Sequence, residues 1–404
     1  MPLKIQKILS QTARNTHASP IREMLALTQK PNITSFAGGL PAPESFPNKK
    51  MAVSLMQQAY NLYGSIIFQY APTEGFPPFV DQVKKRLIAE GFKGITENSI
   101  LVTSGSQQAL LLIAEALINP GDIIITESPT YLGALQAFNH FRPRYITVKT
   151  SLQTGIDPNH LADTLKEHPK TKIVYLVTDF QNPMGTTLSL QTRDAIADIA
   201  SKHQNVIFIA DSPYKDLRYK GNDVPSLHSI VQQKGGSDNI VELRSFSKIF
   251  APGSRIGYIV CENSELIKYL SWLKQGADLQ ASTISQALIA VFMREGYLDL
   301  TIKQNISLYT PRLEAMAQAM DKSFPSYIHH TSPEGGMFLF TSSSDPNVDM
   351  EKLLPEAIDR CKVAYVPGTS FFPEYHMGDR TIGRNTARFN FTNTDPERTR
   401  QIDL

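Results

Sequence analysis

From about residue 80, apolar residues along the chain follow two alternating rhythms. FVDQVKKRLIAEGF, SQQALLLIAEALI, YLGALQAFNHF, LADTLKEH and LQTRDAIADIASKHQ read as helices, the second with its apolar residues on the 3.6-residue period. Between them ILVTSG, DIIITESP, RYITVK, KIVYLVTDF and NVIFIADSPY are short runs of strand type, and NIVELRSFSK closes the series. Strands that alternate with helices imply a mainly parallel sheet with helices on both faces. The pattern predicts an α/β domain.

From about residue 285 the rhythm changes to long helices, followed by GGMFLFTS and the pair VAYVPG and TARFNFT. These few, separated strands predict a smaller α+β domain. The N-terminal segment ITSFAGGLPAPESFP is rich in Gly and Pro, which argues against regular structure and predicts an extended arm near a domain boundary. No repeat or low-complexity tract marks a linker, so the boundaries come from element order. Residues 1–48 read as an arm with part of the small domain, 49–285 as the large domain and 286–404 as the small one.

Composition narrows the function. A chain of 404 residues exceeds one ordinary core. Lys and Arg number 40 against 38 Asp and Glu, and a net charge of +2 supplies no bulk field for nucleic acid or an anionic membrane. Apolar residues at 41% and charged residues at 19% describe a folded, well-buried protein rather than a disordered one. The two cysteines, Cys261 and Cys361, exclude a disulfide scaffold and a cysteine zinc cluster, and no metal site is expected. A reducing compartment, the cytoplasm, fits. The longest apolar run, ALLLIAEALI, is interrupted by Glu115, so no membrane span is expected. The basic N-terminus MPLKIQKILSQTARNTHASPIR weakly resembles a transit peptide but has no signal-peptide core.

Chemistry concentrates at the predicted strand ends. TSGSQQAL sets small residues where a strand passes into a helix; free backbone N–H groups there favour an anion, or Ser104 or Ser106 simply caps the helix. In FQNPMG, the Pro holds Asn182 extended at the sheet's carboxyl edge, where open α/β sheets bind ligands; the alternative is a turn in which Asn182 bonds its own backbone. NVIFIADSPY ends an apolar strand in Asp211, with Tyr214 just beyond. A carboxylate there either caps a helix or faces a protonated ligand nitrogen. Lys248, in SFSKIFAPGSRIGY, follows another strand with Ser245, Ser247 and Arg255 around it. That setting favours an anion and lowers an amine pKa. Taken together, the anion cradle, amide, acid with tyrosine, and lysine with arginine occupy successive strand ends, in the order a pyridoxal phosphate pocket needs.

With ASPIREM near the start and RFNFT near the end, these motifs resemble the fold type I pyridoxal-phosphate aminotransferases of class I/II, nearest the 2-aminoadipate and kynurenine aminotransferase group. The likeness covers nearly the whole chain. It implies a mainly parallel sheet of the seven-stranded type flanked by helices, with a smaller α+β domain. It also implies pyridoxal 5'-phosphate as cofactor and an amino acid and a 2-oxo acid as substrates. Lys248 would be the Schiff-base lysine, and its freed amine would move the substrate Cα proton. Asp211 would pair with the pyridine nitrogen, while Asn182 and Tyr214 would donate to the ring oxygen. Tyr131 would stack on the ring, unless it is ordinary core packing. The phosphate would meet the N–H groups of Ser106 and Gln107, the Ser245 hydroxyl and Arg255. Tyr70 resembles the tyrosine sent to the neighbouring subunit's phosphate, which implies a homodimer with shared sites. Arg388 would grip the substrate α-carboxylate, and Gly38 and Gly39 would let the backbone approach it. Arg22 would meet a distal carboxylate, or else pair with Glu23 or another neighbour on the surface.

The sequence departs from the family pattern at Met184, where FQNPTG is usual. It also ends eight residues after Pro396, where the family continues through a full helix; so short a remnant predicts no self-sustaining helix and either an incompletely packed small domain or a truncated chain. Two rival readings use the same fold. One is a lyase or decarboxylase of the same cofactor class. The other is a cofactor-binding regulator of the MocR type, whose winged-helix domain has no room in the twenty or so residues before ASPIREM.

Overall fold

In a computed structural model of the chain, residues 4–14, 33–236 and 238–402 are described. Seven strands rich in β-branched and aromatic residues form the larger sheet: β1 (Ile100–Thr103), β2 (Ile123–Glu127), β3 (Arg144–Val148), β4 (Thr171–Val177), β5 (Ile207–Asp211), β6 (Ile240–Ser245) and β7 (Gly257–Val260). Their spatial order is β1-β7-β6-β5-β4-β2-β3. The pairs among β3, β2, β4, β5 and β6 are parallel, and β7 runs antiparallel to both β1 and β6. The expected mainly parallel sheet is therefore present. Its antiparallel member carries little strand signal of its own, because GYIV is four residues long and directly continues the lysine motif.

Two apolar layers cover the sheet. On one face Leu101, Tyr175, Val177, Ile209 and Leu243 pack with Leu110, Ile113, Leu135, Phe138 and Leu270 of the helices Ser106–Leu117, Leu132–Asn139 and Ser264–Ala277. On the other, Val174, Leu176, Phe208 and Ala210 meet Leu161, Ile196 and Ile230 of the helices Pro158–Glu167, Leu190–Lys202 and Leu227–Gln233. Among the described residues, no helix is long and apolar enough to cross a membrane.

The second sheet has four antiparallel strands, β8 (Ile328–His330), β9 (Phe338–Ser343), β10 (Val366–Pro367) and β11 (Thr386–Asn390), ordered β8-β9-β11-β10. VAYVPG proves not to be one strand. Val363–Ala364 pairs in parallel with Thr34–Ser35, and after Tyr365 the chain joins β11. The N-terminal arm thus has regular structure after all: Thr34 and Phe36 donate to Lys362 O and Ala364 O, and Pro43–Ser45 forms a 3-10 turn. A β-branched residue ahead of the glycines finds a strand edge that no local propensity announces. Farther along the arm, Ala42 N donates to Tyr309 on the 27-residue helix Tyr297–Ser323. Near the chain end, Pro396–Arg400 does form a helix. It is five residues long, is capped by Asp395 and packs on Tyr297–Ser323, so tertiary contact supplies what length does not.

Candidate active site

The parallel register brings Val177 level with Asp211 and Asp211 level with Leu243, so the carboxyl ends of β4, β5 and β6 share one edge. A cavity of about 480 Å3 opens there, walled by the loops after five strands and by the N-terminal arm. At its β1 side the helix Ser106–Leu117 starts from Gly105, whose φ of 81° no side-chain-bearing residue adopts cheaply. Among the described residues no side chain caps this helix. Ser104 does not serve as one, because its hydroxyl donates to Asp278, so the first-turn N–H groups of Ser106 and Gln107 remain for a ligand at the cavity wall. Arg255 adds a cation beside them, donating to Ser104 O at 3.2 Å; a Cβ on Gly105 would lie 2.7 Å from its Nη2. Ser245 lines the same end, its hydroxyl donating to Ser247 Oγ.

Asp211 sits deeper. Its Oδ2 accepts from the Tyr175 hydroxyl at 2.9 Å, while its buried Oδ1 has no partner among the described residues. Burial pushes this carboxyl up to about 7, and the Tyr175 bond opposes the rise. It caps no helix. Above it Asn182 Nδ2 reaches the Tyr214 hydroxyl at 3.4 Å, and Asn182 Oδ1 accepts from Arg388 Nη1 at 2.9 Å, so the amide does not satisfy its own backbone. Burial raises the Tyr131 phenol to about 12 and the Tyr214 phenol higher still. Both remain neutral donors.

Two cations complete the wall. Lys248 Nζ donates to Gly39 O at 2.9 Å, and desolvation, reinforced by the charges of Arg388 and Arg255, lowers its ammonium to about 8. Arg388 is buried, lies over Phe338 at 4.3 Å and donates to Asn182 and to Ala37 O; burial lowers it to about 10. Its Nε has no partner among the described residues. Among the described residues neither cation meets a carboxylate. Buried charge left with neutral partners is costly, so this wall suits an anionic ligand.

The loop that carries Asn182 is fixed from behind by Arg193, fully buried, which donates to Leu188 O, Pro225 O, Thr178 O and Asp179 Oδ1.

Of the residues singled out in the sequence, Gly39, Ser106, Gln107, Tyr131, Asn182, Asp211, Tyr214, Ser245, Lys248, Arg255 and Arg388 line this one cavity. Tyr70 does not; it is 75% exposed on the surface. Arg22 lies outside the described residues. Leu40, Gln136, Phe338 and Tyr175 escaped sequence reasoning. Gln136 stands one helical turn after Leu132 on the cavity wall, and Tyr175 reads in sequence as an apolar strand residue. The donor set fits pyridoxal 5'-phosphate: uncapped N–H groups with Arg255 for a phosphate, an orphaned carboxylate oxygen for a ring nitrogen, and an amine of lowered pKa for an aldehyde.

Comparison with known proteins agrees. The family model described as "Aminotransferase class I and II" matches residues 45–402. The aromatic-amino-acid aminotransferase 1 of Thermococcus litoralis is 36% identical over 99% of this chain and 93% of its own. The structure of Pyrococcus horikoshii kynurenine aminotransferase, solved in complex with PMP, superposes with a TM-score of 0.90 at 36% identity, covering 98% of this chain and 95% of that one. LysN, the alpha-aminoadipate aminotransferase of Thermus thermophilus, solved with N-(5'-phosphopyridoxyl)-L-leucine, gives 0.87 at 31% identity over 99% and 96%. A matching family along almost the whole chain, and a cavity whose unpaired groups suit that family's cofactor, lead to one conclusion: the chain belongs to the class I and II aminotransferases and depends on pyridoxal 5'-phosphate.

Proposed function

We propose that this aminotransferase takes its amino group from amino acids with long or aromatic side chains, of the 2-aminoadipate, kynurenine, aromatic or branched-chain type, and delivers it to a 2-oxo acid such as 2-oxoglutarate. The observation that carries the site assignment is the pair of cations, Lys248 and Arg388, which wall one cavity and, among the described residues, have only neutral oxygens as partners. The preference for such donors follows the relatives named for aromatic amino acids, kynurenine and aminoadipate.

The cofactor, when bound, supplies an aldehyde that captures the amino group and a conjugated ring that takes up the electrons released at the substrate Cα. Lys248 holds that aldehyde and then moves the Cα proton with its Nζ. Asp211 presents a carboxylate oxygen to the ring nitrogen, Asn182 and Tyr214 donate to the ring oxygen, and Tyr131 covers the ring face. Ser106, Gln107, Ser245 and Arg255 hold the phosphate. Arg388 clamps the α-carboxylate, helped by the Asn182 bond that orients its guanidinium, while Gly39 lets the arm approach the substrate. Arg22 reads a distal carboxylate where the donor has one.

The same reading makes the enzyme a homodimer with Tyr70 crossing to the partner's phosphate. Support comes from the exposed apolar surface that leads to it: Val53, Met56 and Tyr60 on one helix face, then Ile66, Phe68 and Tyr70. Residues 49–285 are read as the cofactor-binding domain and 286–404 as the small domain, a division supported by the separate sheets. Two free thiols, one of them exposed, suit the cytoplasm.

A panel of amino donors against 2-oxoglutarate tests the substrate reading; turnover that releases ammonia or carbon dioxide without any 2-oxo acid would overturn it. Borohydride reduction of the holoprotein should fix the cofactor mass on Lys248, and a tag on another lysine would reject the site. Arg22→Ala should raise KM for 2-aminoadipate far more than for leucine; equal effects would remove Arg22 from the site.

A further inference from the structure

Asp211 owes its setting to a residue that never reaches the cavity. Tyr175 lies on β4, two residues before Val177, the register partner of Asp211 on β5. With side chains alternating along a strand, Tyr175 and Asp211 are diagonal neighbours on the same face of the sheet. The Tyr175 ring is fully buried and meets Phe138 edge-on, centroids 5.5 Å apart at 84°, which fixes its direction. Its hydroxyl has one acceptor, Asp211 Oδ2. With that oxygen engaged, Oδ1 is left, among the described residues, without a partner on a residue of the cavity wall.

We propose that Tyr175 is a positioning residue of the transamination site: by bonding Oδ2 it sets the rotamer of Asp211 and keeps Oδ1 an ionised acceptor aimed at the cofactor ring nitrogen. The proposal rests on the reading that Asp211 faces that nitrogen. Chemistry favours it over a merely structural role. Burial holds the Tyr175 phenol well above its ordinary pKa, so it stays a donor. A hydrogen bond to the charged form of a buried acid counters the desolvation that would neutralise it. Of the groups that feel the Asp211 charge, Tyr131, Tyr175 and Tyr214, only Tyr175 is bonded to it; Glu127, on β2, acts on Tyr175 rather than on Asp211.

The test is Tyr175→Phe, which keeps the ring and its Phe138 contact and removes only the hydroxyl. Apoprotein of wild type, Tyr175→Phe, Asp211→Asn and the double variant is titrated with pyridoxal 5'-phosphate, and the absorbance of the bound cofactor is followed against pH. Tyr175→Phe should weaken cofactor binding about tenfold, the worth of one charge-assisted hydrogen bond, and move the absorbance midpoint in the same direction as Asp211→Asn but by less. In the Asp211→Asn background the second substitution should move neither. A Tyr175→Phe protein with wild-type affinity and midpoint, beside an altered Asp211→Asn protein, would overturn the proposal and leave the Asp211 reading standing. A wild-type spectrum in Asp211→Asn itself would remove that reading. Loss of thermal stability without any shift of midpoint would assign Tyr175 to packing alone and also reject the proposal.

Discussion

Arg193→Met is the sharpest test of how the Asn182 loop is held. Arg193 and Asp179 form a salt bridge of 2.7 Å with side chains 0% and 1% exposed, and three more guanidinium protons go to the carbonyls of Leu188, Thr178 and Pro225. Methionine fills similar space but leaves the Asp179 carboxylate buried without its cation. Removing one partner of such a pair costs about 3 to 5 kcal/mol, because an uncompensated charge remains. At about 2 °C per kcal/mol, the low end of the size scaling for large domains, Tm should fall by about 8 °C. Burial by itself would raise the Asp179 carboxyl, yet Arg193, the charge of Lys215 and the Thr178 bond bring it below its usual value. The stabilisation is therefore complete at neutral pH and is lost only as pH falls below the ordinary aspartate range. Calorimetric melting at pH 7, at fixed protein and cofactor concentration, reads the loss. Asp179→Asn combined with Arg193→Met removes the stranded charge and should recover about 2 kcal/mol relative to the sum of the single changes. A loss below about 1 kcal/mol in Arg193→Met, or strict additivity in the pair, would refute the reasoning.

Three further outcomes are expected. Gly105→Ala, at a φ of 81° and with its new methyl 2.7 Å from Arg255 Nη2, should displace that guanidinium and raise the Kd of the apoprotein for pyridoxal 5'-phosphate about tenfold or more, read by absorbance titration. Capture of the cofactor by apoprotein should accelerate as pH rises to about 8 and level off above it, because only the neutral Lys248 amine attacks an aldehyde; stopped-flow rates that are flat from pH 6 to 9 would contradict the lowered amine. His228 is buried against Phe92, its ring nitrogens lack partners among the described residues, and burial lowers it from 6.5 to about 4. Its neutral form is stabilising above the unfolded value, and about 3 kcal/mol should disappear as pH falls from 6.5 to 4; urea melts of His228→Gln should show a flatter acid limb than wild type.

The chain itself determined the elements and the chemistry at their ends. Apolar runs such as KIVYLVTDF and NVIFIADSPY are strands because β-branched and aromatic residues suit a buried pleat, and a polar residue that closes such a run, Asp211 or Lys248, stands out against it. Local order of that kind is written in a few neighbouring residues, so a linear reading finds it. Tertiary structure decided what depends on residues far apart. Arg388 and Asn182 are separated by 206 positions, and Lys248 and Gly39 by 209, and only the packing of the two sheets and the arm makes them neighbours. The break of VAYVPG between two sheets, the antiparallel β7 and the uncapped helix at Gly105 likewise follow from which strand edge or partner lies nearby, not from propensity. Tyr175 shows the division most clearly. In sequence it is one apolar letter in a strand, and it becomes the donor to Asp211 only when the register of β4 on β5 sets the two side chains diagonally on one face, because strand periodicity fixes the face a residue takes while pairing alone fixes what it meets there.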